Sequence, residues 1–447
     1  MRGLLYLFSS FMVKKIIQNW GNFPKIEATE IAPVDYYDLK NIIIAQNRVI
    51  ARGNGRCYGD SALQSTIIST LNMNKILEFD CSKGILKAEA GTLLSEILEV
   101  IVPKGFFLPV TPGTKWITIG GAIASNVHGK NHHKEGAISN FTVSIELVNE
   151  HGELLICSES QNKQLFHDTI GGMGLTGIIT TVTIKLKPIE SAYIKQKTLK
   201  AKNLDQVLDY FEKYNDFTYS VAWIDCLKKG NQMGRSILIL GEHSKKVESD
   251  KNTFMLHSKK QLNIPFYFPN NTLNKWTIKL FNNLYYNKQF KKTTKKIVHY
   301  DKFFYPLDSL KNWNKIYGNN GFTQYQFVIP FENGREGLKK ILTKISNSGN
   351  GSFLAVLKTF GEKDKNTSEL NFPTKGYTLA LDFKLSKATL LLLDELDKIV
   401  LAYNGKLYLT KDVRMSKDMF EKTYGEKRIT SKFYSLQTER LFNKEDI

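Results

Sequence analysis

At 447 residues, with 42% hydrophobic and 12% aromatic content, the chain is long enough for two domains and a substantial core, and too apolar for a disordered one. Lys and Arg outnumber Asp and Glu by 62 to 43, and the net charge of +19 favours an anionic partner: nucleic acid, anionic lipid or a phosphorylated substrate. No recognition helix, zinc-finger spacing or RNP-type aromatic motif accompanies the basic residues, which ranks nucleic acid last, and Cys57, Cys81, Cys157 and Cys226 are too sparse to staple the chain and read as free thiols.

Residues 3–13 form an apolar run too short to span a bilayer, which takes about 20 residues. It has only Arg2 as a basic lead and no small-residue cleavage site before Lys14, so it does not read as a secretory signal; Met12 is an alternative start. Residues 49–52, 76–80 and 86–90 read as short strands. Between the first two, residues 52–60 (RGNGRCYGD) follow the apolar stretch 41–51 and belong in a turn after a strand. A helix over about 93–102 stops at Pro103. Next comes residues 112–133, PGTKWITIGGAIASNVHGKNHH, where Thr118, Gly120, Gly121, Ala122, Ala124 and Ser125 let a bulky ligand approach the backbone. Two such turns can clamp one diphosphate, although each taken singly reads equally well as a tight turn. Residues 171–177 (GGMGLTG) match GxGxxG, but a helix (164–170) precedes them and a β-branched run (178–186) follows. That order is the reverse of a Rossmann fingerprint.

From Pro188 the small-residue turns give way to long mixed elements, which places a domain boundary near 190. Strands are expected at 219–225, 236–241, 323–330, 352–359, 377–385 and 406–411, and a helix at 390–403 closed by Asn404-Gly405. Residues 263–305 interleave aromatics with lysines. This mixture suits a lipid surface, and equally an amphipathic helix packed on its own domain with a wet basic face. Lys358 and Lys411 each follow a run of apolar residues and read as strand-end lysines aimed into a pocket. Alternation puts Tyr408 and Thr410 on one face and Lys411 on the other unless the strand end kinks. His128, His132 and His133 have no acidic or cysteine companion at metal-site spacing, so no metal is expected.

The order RGxGRxYGD, then PGTxxxTxGGAIAxxxHGKNHH, resembles the flavin-binding half of the vanillyl-alcohol-oxidase (PCMH-type) FAD-linked oxidases. The HGKNHH ending is most similar to their decaprenylphosphoryl-β-D-ribose oxidase branch. So are Trp20-Gly21, AWIDC (222–226), FYPLD (304–308), QYQFVIP (324–330) and YLTKD (408–412). The resemblance implies an α+β, two-domain fold: a PCMH-type FAD-binding domain (14–190), a substrate domain built on an antiparallel sheet (191–405), and a C-terminal segment (406–447) returning to the flavin. It implies non-covalent FAD, since Arg56 stands where relatives that tether the ring carry histidine. The implied FAD contacts are Arg52, Gly53, Asn54, Gly55, Arg56, Cys57, Tyr58, Gly59, Asp60 and Ser61 in the first turn. Gly113, Thr118, Ile119, Gly120, Gly121, Ser125, Asn126, Val127 and His128 follow in the second, with Ile179 and Tyr408 beyond. Matching pocket positions are Tyr58, His128, Lys130, Gln324, Gln326, Lys358 and Lys411.

The implied reaction oxidises a secondary hydroxyl of a lipid-linked phosphopentose to a ketone. A separate NADH-dependent short-chain reductase would complete the epimerisation, for cell-envelope glycan synthesis. The implied location is peripheral, on the cytoplasmic or periplasmic face of the inner membrane, with no nucleic-acid partner. Two positions depart from the best-known members: Ala380, where they carry cysteine, and Thr378, where they carry asparagine. Two other readings stand beside this one: an aldonolactone or alditol oxidase of the same fold, and a basic membrane-surface or nucleic-acid-binding protein that has lost flavin.

Overall fold

Two parallel strands and a crossover helix set up the first glycine turn. Strands β1 (Met12–Gln18) and β2 (Lys25–Ile31) pair antiparallel; after helix α1 (Tyr36–Ala45), β3 (Ile50–Arg52) and β4 (Thr66–Ser69) join in parallel, in the order β1-β2-β4-β3. The computed structural model describes residues 12–245, 253–256, 261–362, 364 and 367–444, so the apolar N-terminal run lies, up to residue 11, outside the described residues. The apolar stretch 41–51 is divided. Asp35 caps α1, which buries Leu39, Ile42 and Ile43 at helical spacing, and only Ile50–Arg52 is strand.

A second, antiparallel sheet follows, made of β5 (Ile76–Asp80), β6 (Ile85–Glu89), β7 (Thr142–Val148), β8 (Leu154–Ser158) and β9 (Ile178–Lys185) in the order β5-β6-β9-β7-β8. Helices α2 (Leu94–Ile101), α3 (Ile119–Ala124) and α4 (Lys163–Thr169) connect its strands. Beyond α2 the chain tightens into a 3₁₀ turn through Pro103 and leaves it at Gly105 with φ +81°.

The third sheet has eight antiparallel strands: β10 (Tyr193–Ala201), β11 (Tyr219–Ile224), β12 (Ser236–His243), β13 (Thr293–His299), β14 (Phe322–Ile329), β15 (Ala355–Phe360), β16 (Gly376–Lys384) and β17 (Lys406–Leu407). Their order is β13-β10-β12-β11-β15-β16-β14-β17. Helices α5 (Leu204–Lys213), α6 (Lys275–Asn287), α7 (Phe331–Ser348) and α8 (Lys387–Ala402) lie between the strands in sequence, and α9 (Lys417–Tyr424) and α10 (Leu436–Leu441) follow the last. Strand alternation divides this sheet's residues cleanly. Tyr325, Phe327, Leu357, Leu379, Leu381 and Phe383 share one core with Leu338 and Ile341 of α7 and Leu393 and Leu396 of α8. Gln324, Gln326, Lys358, Ala380 and Asp382 point the other way. Register places Gln324 opposite Asp382, and Gln326 opposite Ala380.

A second apolar core crosses position 190: Ile194, Tyr219, Phe303 and Phe304 pack in the same cluster as Leu108, Val110 and Ile119. Burial of one continuous core of this kind holds the sheets at a set distance and so shapes the space between them. One expected strand is corrected. Residues 406–411 are strand only at Lys406–Leu407, after which Leu409–Lys411 form a 3₁₀ turn. Among the described residues no helix is long and apolar enough to cross a membrane.

Candidate active site

A cavity of about 350 Å³ opens where the glycine turns meet the polar face of the eight-stranded sheet and the 3₁₀ turn near the C-terminus. The two glycine-rich turns touch directly. A Cβ on Gly53 would stand 2.2 Å from Thr118 Oγ1, so only glycine lets the first turn close on the second. Thr118 caps α3, its Oγ1 accepting from Gly121 N–H at 3.2 Å. The α3 amides are used within the protein: Ile119 donates to Thr92 O and Gly120 to Ala90 O, both at 2.9 Å. In the first turn, the amides of Asn54, Gly55 and Arg56 donate no hydrogen bond among the described residues. The first turn therefore supplies backbone donors, whereas the second supplies close approach. Where a Cβ of Gly113 would stand, nothing lies within 4 Å.

The third turn, 171–177, docks on the end of α3 by Gly171 N–H to Ile123 O and Met173 N–H to Ala124 O, both 2.9 Å. It brings Met173, Gly174, Gly177 and Ile179 to the cavity wall. It opens no helix, in keeping with the order of elements read from the sequence.

The opposite wall is polar. His128 is buried, and the ring lies 5.0 Å from that of Tyr408. Gln326 Nε2 donates to His128 Nε2 at 3.0 Å and to Thr378 Oγ1 at 3.3 Å, which puts the imidazole proton on Nδ1, and that atom has no partner. Burial, helped by Lys358 and His132, pushes the imidazole well below its usual pKa and keeps it neutral. Gln324 Nε2 bonds both the Tyr58 hydroxyl, at 3.3 Å, and Asp382 Oδ1. Lys358 is pushed down to about 7 by burial and by the positive charges of Lys130 and Lys411. For the buried pair of Lys411 and Asp382, burial drives the amine down and the carboxyl up, and each partner's charge opposes the other's shift. Lys411 reaches the cavity because a 3₁₀ turn repeats every three residues, so Tyr408 and Lys411 share a face that a strand would have denied them. The Tyr408 hydroxyl donates to Ser125 O at 2.8 Å, tying the return segment to the second glycine turn.

Of the expected FAD contacts, Gly53, Asn54, Gly55, Arg56, Cys57, Tyr58, Ser61, Gly113, Thr118, Gly120, Gly121, Ser125, Val127, His128, Ile179 and Tyr408 line the cavity. The others are framework. Arg52 is tied to Gln18 O at 3.0 Å and to Asn19 Oδ1. Gly59 is pressed against Asp412 O, and Asp60 is paired with Arg440. Ile119 sits in the core, and the Asn126 amide binds Asn371 and Asp364. Lys130 lies outside the wall, its Nζ donating to Phe304 O at 3.0 Å, and burial brings it down to about 8. His132 lies near Asp364 and accepts from Gly361 N–H, while His133 bonds Phe217 O. Asp382, Asp308, Trp313 and Met173 line the cavity without having been singled out in the sequence. The alternation in GYTLALDF, with Leu379, Leu381 and Phe383 inward, is the signal that would have found Asp382. Ala380 is on the wall, and Thr378 is fully buried with its hydroxyl donating to Phe327 O.

The residues fit a flavin nucleotide. Free amides and an uncrowded Gly113 suit a diphosphate and its backbone approach. The unpartnered Nδ1–H of His128 suits an acceptor brought into the cavity. Residues 31–158 match the family model described as an FAD binding domain. Decaprenylphosphoryl-β-D-ribose oxidase of Mycolicibacterium smegmatis is 36% identical over 387 residues, 84% of this chain and 83% of that protein. L-gulonolactone oxidase of Bos taurus is 28% identical over 203 residues, 44% of this chain and 45% of that protein. A putative D-arabinono-1,4-lactone oxidase of Neurospora crassa is 26% identical over 207 residues, 45% of this chain and 36% of its own length.

Proposed function

The chain belongs to the FAD-linked oxidase family of decaprenylphosphoryl-β-D-ribose oxidase, enzymes that act on a sugar CH–OH group, and from that membership we propose that it oxidises a secondary hydroxyl of a polyprenyl-phosphate-linked pentose to a ketone. One observation carries the substrate class. Lys358 lines the cavity with only the like charges of Lys130 and Lys411 acting on it, and among the described residues it forms no ion pair, whereas Lys411 has Asp382 as its counter-charge. A desolvated cation without a counter-charge is costly, and a phosphodiester entering the cavity beside Lys358 offsets that cost. A neutral lactone or alditol does not.

Bound FAD supplies the two-electron acceptor for the hydride that leaves the carbinol carbon. The chain's part is to hold the sugar and move one proton. Lys411 Nζ, lowered by burial, takes the hydroxyl proton in its neutral form, and the Asp382 carboxylate stabilises the ammonium that results. His128 Nδ1–H and the Tyr58 hydroxyl donate to sugar oxygens, while Gln324 and Gln326 hold those two groups in orientation. Lys358 binds the phosphate. The amides of 54–56 would hold the cofactor diphosphate, and the framework residues Arg52, Asp60 and Asn126 keep the turns in place.

In this reading residues 14–190 bind the cofactor, 191–405 the substrate, and 406–447 return to close the site. The ketone would pass to a separate NADH-dependent short-chain reductase that completes an epimerisation for envelope glycan synthesis. The enzyme would work as a peripheral protein at the membrane that holds its substrate. The test is anaerobic bleaching of the flavin by lipid-linked phosphopentose, free pentose and aldonolactone. Bleaching by the lipid-linked sugar alone is expected; equal turnover of free pentose or lactone would return the reading to a soluble-sugar oxidase.

A further inference from the structure

Helix α6 turns its apolar side away from the protein. Asn274 starts the helix, accepting from the amides of Trp276 and Thr277, and Ile278 and Asn282 are buried against the body. On the opposite side Trp276, Leu280 and Leu284 are spaced by four residues in one stripe, 76%, 60% and 62% exposed. Phe266 and Phe290 on the flanking segments are 63% and 91% exposed. A surface of contiguous large apolar side chains on one helix is a binding face, since scattered exposure has no such periodicity.

Charge selects its occupant. Residues 261–300 contain seven lysines (Lys275, Lys279, Lys288, Lys291, Lys292, Lys295 and Lys296) and no Asp, Glu or Arg. An apolar ridge on a segment whose charged residues are all lysines is the pattern of a helix lying in the interface of an anionic bilayer, with lysine stems along the apolar surface and ammonium groups among the headgroups. The segment leading into the helix is tied to the cavity wall. Ile264 N–H donates to Lys311 O and Phe268 N–H to Lys315 O, both at 3.0 Å, and Trp313 between those lysines lines the cavity.

We propose that the stripe of Trp276, Leu280 and Leu284, with its bordering lysines, docks the enzyme on an anionic lipid surface and sets the cavity mouth against it. This deepens the lipid-linked substrate reading and rests on it for its purpose, though not for its chemistry.

The test is co-sedimentation of the full-length flavoprotein with vesicles of phosphatidylglycerol and phosphatidylcholine, against vesicles of phosphatidylcholine alone. Binding to the anionic vesicles is expected, weakened by salt and weaker on the neutral ones. A triple variant, Trp276→Gln, Leu280→Gln and Leu284→Gln, should lower the partition at least tenfold while FAD content, melting temperature and turnover of a water-soluble phosphopentose stay unchanged. Replacing Lys291, Lys292 and Lys295 by Gln should remove the preference for phosphatidylglycerol. Absence of vesicle binding, or equal binding by the triple variant, overturns the proposal. So does a wild-type dimer in solution that the triple variant abolishes, because the face then belongs to a second copy. Vesicle binding is measured without substrate, so a failure of the substrate reading shows separately in the turnover of free pentose.

Discussion

Lys411 Nζ lies 3.9 Å from the centre of the Tyr58 ring, and the backbones beneath them are joined by Tyr58 N–H to Thr410 O at 3.1 Å. A glycine turn near the start of the chain and a 3₁₀ turn near its end thus form one wall. Asp382 reaches the same Tyr58 through Gln324.

Lys411→Met should leave the bound-FAD spectrum intact and slow anaerobic bleaching by about two orders of magnitude or more, the usual cost of losing a proton-transfer group. In the wild type the bleaching rate should rise with pH as Lys411 loses its proton. Asp382 holds the lysine pKa up, so Asp382→Asn should move that rising limb to lower pH. Stopped-flow bleaching across pH tests both; a normal rate for Lys411→Met would make it a bystander.

Affinity for an anionic substrate should run the other way. Lys358, at about 7 in the free protein, is charged below that pH and neutral above it. Binding a phosphodiester favours the charged form, so affinity should be highest below pH 7 and fall by up to about tenfold per unit above it, the linkage limit for one proton. Titrating the flavin absorbance with a non-reactive phosphodiester analogue measures this. Lys358→Met should bind weakly at low pH and lose the dependence.

FAD should be released completely by acid precipitation. Arg56 stacks 4.0 Å from the Trp20 ring and is no nucleophile, and burial raises the Cys57 thiol, which keeps it protonated. Yellow colour retained in the pellet would contradict this.

Arg440 joins Asp60 through Nε at 3.1 Å and Nη2 at 3.0 Å, and Asp412 through Nη2 at 2.9 Å. Arg440→Met leaves two buried carboxylates facing each other and should cost roughly 3 kcal/mol of stability. Arg440→Lys should not restore it, because an ammonium cannot bridge both in the same geometry. Chemical denaturation of the holoenzyme gives the comparison.

Much of this site was legible in one dimension. The glycines at positions 53, 120 and 121 and the strand over 323–330 follow from local rules, since a residue without Cβ permits close approach and a strand turns over every residue, while the pocket roles of Gln324 and Gln326 came from the resemblance. These determined the turns and most of the strands. Other features were decided only by folding. Strict alternation put Lys411 on the face away from Tyr408, and whether the strand end kinks was not written locally: Tyr408 N–H bonds Gln326 O, Tyr58 N–H bonds Thr410 O, and 409–411 form a 3₁₀ turn. The bond of Lys130 to Phe304 O and the pairing of Asp60 with Arg440, 380 residues away, were not legible either. Local periodicity says which way a side chain points from its own element. Which distant group it meets depends on how sheets and loops close over one another, and that is set by burial of the shared core.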